Sequence, residues 1–261
     1  MTNDATDTLD FHAIVDGLNR YLRLRTIPIG MKLFEKVEEM EAIPKIRRPR
    51  AKHTTDQIVA QARQLGWTVG VTVENLVGAQ CGAVIGLHPQ NEEWLSGKRM
   101  AGVWFKTQED ASLHQHAMDC VPHGRYHAMA VSPLTSGRLD PPDICLIYGT
   151  PGQMILFING LQWTGYRKMS FTSVGESACA DSWGKALKTG EPALTIPCYA
   201  ERRYGGVADD EMLMAIPPRF LPKVIEGLAA LDKNGLRYPI PPFGIQSDAA
   251  SGLAVSYSDK K

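Results

Sequence analysis

The sequence has no excess of either charge, since Lys+Arg 28 stand against Asp+Glu 28. That balance excludes the basic footprint of a nucleic-acid binder and the polybasic surface of a protein docked on a membrane. No apolar run approaches the roughly 20 residues that a membrane span needs. The start, Met1-Thr2-Asn3-Asp4, is polar and acidic, without the n-region or h-region of a secretory signal. Five cysteines, at 81, 120, 145, 179 and 198, make an odd number with no framework spacing. Reduced thiols in a cytoplasmic protein are the better reading. The short Cys-x-x-Cys spacing is missing as well. So are a Gly-x-Gly-x-x-Gly after a strand and a Walker-type Gly-Lys-Ser/Thr, which disfavours a doubly wound nucleotide fold.

What is there suits a globular chain. With 261 residues, 44% apolar and 21% charged, it can bury roughly three-quarters of its unfolded surface. Helical and period-2 stretches alternate loosely, with hairpin-like spacing in places. The expectation is one α+β domain over residues 1–261, a mixed sheet flanked by helices. Its core spans 8–235, and a Pro/Gly/Ser-rich tail at 236–261 wraps the domain or frays.

The pattern predicts an amphipathic helix over 8–24 and a strand over 27–34. Residues 35–53, with the basic run Arg47-Arg48-Pro49-Arg50, read as a solvated loop. Thr54 and Gln57 form a capping box for a helix that stops at Gly66. Strands are expected at Trp67–Val73, Met100–Phe105, Arg125–Ser132, Asp143–Tyr148, Tyr166–Ser173 and Met212–Ile216, with Cys145 in the core. Thr150-Pro151 starts a buried helix, and Pro217-Pro218 starts another that ends at Asn234-Gly235. Glu109–Asp119 reads as helix, so His114 and His116 point about 200° apart and a shared metal there is disfavoured. Solvated or packing side chains are the preferred reading for the group His114, His116, His123 and His127.

The stretch that gathers chemistry is Thr195–Gly206 with Asp209-Asp210-Glu211 behind it. A short strand ends at Pro197 and hands Cys198 to a loop holding Glu201, Arg202, Arg203, Tyr204 and a Gly-Gly pair. Cys81 sits at the centre of a glycine-rich turn, Gly78–Leu87, where small neighbours leave its sulfur open. Cys179 falls in a first helical turn, where the helix dipole favours a thiolate.

The segments Ala178-Cys179-Ala180-Asp181, Ile196-Pro197-Cys198-Tyr199-Ala200-Glu201-Arg202-Arg203-Tyr204 and Asp209-Asp210-Glu211-Met212 resemble the uncharacterised prokaryotic family known as domain of unknown function 169. Gln80-Cys81-Gly82-Ala83, Ser132-Pro133-Leu134 and Tyr148-Gly149-Thr150-Pro151-Gly152-Gln153 are similar to its other signatures, as is Ile225-Glu226-Gly227-Leu228. The resemblance runs from about residue 20 to 235. It implies a shared layout and brings no reaction. Ala200 stands where the family pattern usually has glycine.

Two classes of function follow. One is an enzyme of small-molecule metabolism, on an aromatic or organic acid, of oxidoreductase or lyase type. Cys81, Cys179 and Cys198 would then converge on one cavity and bind a [4Fe–4S] cluster or another thiolate-bound metal. Arg202 or Arg203 would pair with an anionic small-molecule substrate, Glu211 would stand at the wall, and Glu201, Tyr204 and Glu211 are candidates for proton transfer. The other is a metal-free binding or redox-sensing protein with the same pocket. A variant of the enzyme uses one cysteine as nucleophile with His123 or His127 as base. Homo-oligomerisation is left open.

Overall fold

The computed structural model describes residues 9–242; the expected tail beyond 242 lies outside the described residues. Helix α1 (Phe11–Leu22) is capped by Asp10, whose side chain accepts from the Ala13 N–H at 3.0 Å. Its buried residues Phe11, Ile14, Val15, Leu18 and Leu22 form one stripe. Strand β1 (Ile29–Phe34) follows. A five-residue helix, α2 (Val37–Glu41), interrupts the stretch expected as loop and buries Met40.

The capping box of α3 (Thr55–Leu65) forms as its sequence predicts: Gln57 N–H donates to Thr54 Oγ1 and Thr54 N–H to Gln57 Oε1. Gly66, at φ 70°, ends the helix. Strand β2 (Val69–Thr72) comes next. The expected glycine-rich turn around Cys81 is instead a short helix, α4 (Ala79–Val84). Its glycines bracket it: Gly78 and Gly86 have positive φ at either end. Gly82 lies inside because a Cβ there would stand 2.6 Å from the His88 ring.

Helices α5 (Glu92–Leu95) and α6 (Gln108–Ala117) flank Met100–Phe105. That segment was expected as a strand and is a set of tight turns. Val103 N–H closes on Met100 O and Gly102 N–H on Phe105 O, so its backbone is satisfied locally and needs no ladder. Strands β3 (Ala128–Pro133) and β4 (Ile144–Gly149) precede α7 (Pro151–Gln162), which Thr150 caps in a second capping box. Tyr166–Ser173, also expected as a strand, pairs with nothing. Its Tyr166 and Phe171 are exposed, so the alternation has no buried face to enforce a register.

The chain then enters a helix at Ala178, widens into a π-turn over Ala180–Gly184 and continues as α8 (Lys185–Thr189). Strand β5 (Ala193–Thr195), helix α9 (Tyr199–Arg203) inside the expected loop, strand β6 (Met212–Ile216) and helix α10 (Leu221–Lys233) complete the chain.

The strands form one sheet in the order β2-β3-β1-β4-β6-β5. Each of its pairings is antiparallel, so the fold is α+β with an antiparallel sheet in place of the mixed one expected. Pleating sends alternate residues to opposite faces. Leu146 and Tyr148 of β4 share one core with Ile58 and Val59 of α3, Val84 of α4 and Trp183 of the π-turn. Cys145 and Ile147 face the other way into the core of α1, α7 and α10. The sheet is thus sandwiched between two helical layers.

Helices α7 and α10 cross where Gly160 meets Gly227. A Cβ on Gly227 would lie 2.1 Å from the Gly160 carbonyl oxygen. Backbone cannot retreat there as a side chain can, so Gly227→Val is expected to cost about 3 kcal/mol or more through overpacking. Urea unfolding would measure it. A loss below about 0.5 kcal/mol would show that the crossing is looser than its geometry.

Candidate functional site

Helix α3 supplies the base of the site. Its buried stripe carries two charged residues, Asp56 and Arg63, alongside Val59 and Ala62. The one sequence feature they carry, charge on an apolar stripe, is too common to mark a site, and the sequence reading missed both. The Arg63 side chain is 1% exposed and that of Glu211 3%, and Arg63 Nη1 donates to Glu211 Oε2 at 3.2 Å. Arg63 Nη2 donates to the Gly206 carbonyl at 3.0 Å, and its guanidinium lies 4.3 Å from the centre of the Tyr148 ring. Glu211 also accepts the Ala208 N–H at 2.8 Å. The ion pair thereby fixes the Gly205-Gly206 turn directly behind α9.

That turn needs its glycines. Gly206 has φ 62°, and a Cβ on Gly205 would stand 2.6 Å from the Glu201 carbonyl oxygen. With the turn held, α9 points Glu201 inward. Glu201 Oε2 accepts the Cys198 N–H at 3.2 Å, while Oε1 is buried without a partner. Asp56 Oδ1 is a second buried oxygen without a partner. Burial first, and then the Asp56 charge, push the Glu201 carboxyl up to about 8. Burial pushes Asp56 up to about 6.

The thiols meet on the same side. Gly184 of the π-turn packs so closely that a Cβ would fall 1.9 Å from the Asp119 carbonyl oxygen and 2.9 Å from Val84 of α4. This contact presses the helix of Cys179 against the helix of Cys81. Ser177, at φ 65°, turns the chain into that helix. Cys179 then donates its S–H to Cys81 Sγ at 3.3 Å. That hydrogen bond, followed by burial, holds the Cys179 thiol well above its ordinary value. The helix-start thiolate expected from sequence is therefore overruled by the hydrogen bond to Cys81 and by desolvation. The Cys81 thiol is also raised: the S–H from Cys179 pulls it down, but burial and the carboxylates of Asp56, Glu201 and Glu176 outweigh that. Burial, then the Glu201 charge, push Cys198 up to about 12.

A cavity of about 140 Å³ opens onto this group, lined among others by Asp56, Cys81, Trp94, Glu176, Ala200 and Tyr204. Cys179 and Cys198 are buried behind it. Arg202 and Glu211, expected at the wall, do not line it. Arg202 donates to the Ala208 carbonyl and Glu211 is engaged by Arg63. The histidines go elsewhere: His114 to the Glu176 carbonyl at 2.9 Å, His116 to Ser112, His123 to Gly86. Neither His123 nor His127 lines the cavity. Among the described residues no group of three or more His, Cys, Asp or Glu is gathered as a ready-made metal site. No helix among them is long and apolar enough to cross a membrane.

Two outcomes follow from the buried charges. Arg63→Met should cost about 3–5 kcal/mol, because Glu211 is left buried and unpaired; adding Glu211→Leu should recover part of it. A double variant that loses the sum of the two single losses would show that the pair adds no coupling. The second outcome concerns pH. The native state keeps Asp56 and Glu201 protonated up to about 6 and about 8, above their unfolded values. It therefore binds more protons than the unfolded chain, and stability falls as pH rises from about 4 towards 8. Glu201→Gln should flatten that slope in thermal melts; an unchanged slope would place the proton elsewhere.

Comparison with known proteins adds the family. The model of DUF169, described as Uncharacterised ArCR, matches residues 17–227. The uncharacterised protein MJ0308 of Methanocaldococcus jannaschii is 26% identical over 127 residues, 48% of this chain and 53% of that relative. The match thus spans about half of the relative's length. No solved structure matches. The signature segments quoted above fall largely within the matched span, and the chain belongs to the DUF169 family.

Proposed function

We propose that the chain is an enzyme of small-molecule metabolism whose reaction takes place in the cavity beside Cys81. In this reading Cys81, Cys179 and Cys198 hold a metal ion or iron–sulfur cluster, and Asp56 and Glu201 move protons. The observation that carries it is the 3.3 Å contact of the buried Cys179 sulfur with Cys81, which lines the cavity. Cys81, Asp56 and Glu176 line this space with Cys179 against Cys81, and the buried cation Arg63 is already claimed by Glu211. A concentration of acids without a counter-charge stays neutral at a cost in solvation, and a thiolate-bound metal would remove it.

The donors fit in kind. Thiolates on one tetrahedral metal at ~2.3 Å lie about 3.8 Å apart, close to the separation of the pair here. Asp56 Oδ1 and Glu201 Oε1 are buried acceptors without partners. A third donor would come from rotation of the Cys198 side chain or of a carboxylate. Such a metal supplies the positive charge that the cavity lacks, for a substrate carboxylate or for electron transfer. That places the counter-charge of an anionic substrate away from Arg202, which is turned to Ala208.

The sulfur contact also supports a metal-free reading, in which Cys81 and Cys179 form a reversible disulfide beside the bound substrate. Anaerobic purification with metal and sulfide analysis separates the two. Bound metal that is lost in both Cys81→Ser and Cys179→Ser supports the first. A metal-free protein that loses two free thiols on mild oxidation, with Cys81–Cys179 the linked pair, overturns it in favour of the second.

A further inference from the structure

A cavity larger than the one beside Cys81 lies away from the thiols. It is an open groove of about 430 Å³ between the end of α7, the segment after it, α8 and the start of α10. That volume falls in the range of small-molecule sites. Its floor is apolar: Leu161 is buried, and Met169 and Phe220 pack against the core of α1, α7 and α10. Its rim is basic. Arg167, Lys168, Lys185 and Lys223 line it, against the single carboxylate of Glu191. A cluster of this kind in a chain of no net charge concentrates positive potential over an apolar floor.

The identity of the cations narrows the ligand. Arg167 donates through Nη1 to Glu191 at 2.6 Å, so its charge is already shared with a carboxylate. Among the described residues, Lys168, Lys185 and Lys223 form no ion pair, although Asp181 lies near enough to feel the Lys185 charge. The groove therefore offers three ammonium groups, compact point charges suited to a phosphate rather than to bidentate capture of a carboxylate. A phosphate monoester brings about −1.5 to −2 at neutral pH, which complements that excess.

We propose that this groove binds a small phosphate monoester whose apolar or aromatic body rests on Met169 and Phe220 while its phosphate meets Lys168, Lys185 and Lys223. The site is separate from the thiol cavity and does not depend on its chemistry.

Phenyl phosphate is the probe, with phenol and inorganic phosphate as controls, titrated by calorimetry into the full chain. Phenyl phosphate should bind saturably and about ten-fold or more tighter than either control. Lys168→Gln and Lys223→Gln should each weaken it several-fold and the double variant more than ten-fold, while Cys81→Ser leaves it unchanged. The basic side chains are on the rim, so these variants keep the fold, which their thermal melts check. Binding no tighter than phenol or inorganic phosphate would overturn the assignment, as would binding untouched by both lysine substitutions.

Discussion

The buried pair Arg63–Glu211 is the interaction on which the rest of the site depends. Two charges out of water need further hydrogen bonds to offset their lost hydration. Here Gly205, Gly206 and Ala208 supply backbone partners, and Tyr148 its ring face. Each of those partners belongs to a different structural role: a turn, a strand entry, the centre of the sheet. The contacts of one guanidinium thus tie α3 to β4, to the turn after α9 and to the residue before β6, while Arg63 Nε stays buried without a partner. Cys198 and Glu201 take their places because the chain behind them has been pinned.

A second constraint is steric. Gly184 and Gly82 carry no side chains where a Cβ would collide with Asp119 and Val84, or with His88. Close approach of backbones is what lets two cysteines 98 residues apart in sequence touch. The ion pair holds one wall of the cavity and the glycine contacts hold the other. The wider π-turn lies between them, placing Trp183 in the core under Cys179. Irregular helical turns of this kind are frequent at functional sites.

Local rules were readable in the sequence and long-range ones were not. The capping boxes at Thr54 and Thr150 and the stop at Gly66 involve atoms within three or four residues, so propensity determines them. Strands β2, β3, β4 and β6 are buried runs bounded by turn residues, and their membership of one sheet follows. Met100–Phe105 and Tyr166–Ser173 carry similar alternation but meet no neighbouring strand, a fact that only tertiary structure decides. Cys81 and Cys179 could be singled out by their small neighbours, though only the fold shows that they touch. Asp56 could not, since an acid in a first helical turn already has a sufficient explanation in the helix dipole. Nor could Arg63, which resembles any basic residue near a helix end until Glu211 arrives from 148 residues away.

The zero net charge of the chain conceals a separation. Acids collect around the thiols, where Asp56, Glu176 and Glu201 are all raised by burial, and bases collect around the groove. The helix that begins at Ala178 joins the two, with Cys179 in its first turn and Lys185 and Thr189 on the groove at its far end. Burial drives this division. Carboxyl groups and thiols tolerate a desolvated space by keeping their protons, whereas a lysine there would have to surrender its own. Lys168, Lys185 and Lys223 accordingly stand on the open groove, where their stems can cover the apolar floor while their ammonium groups stay hydrated. Composition alone, which sums over both regions, cannot register such a division; the placement of each group by the fold creates it.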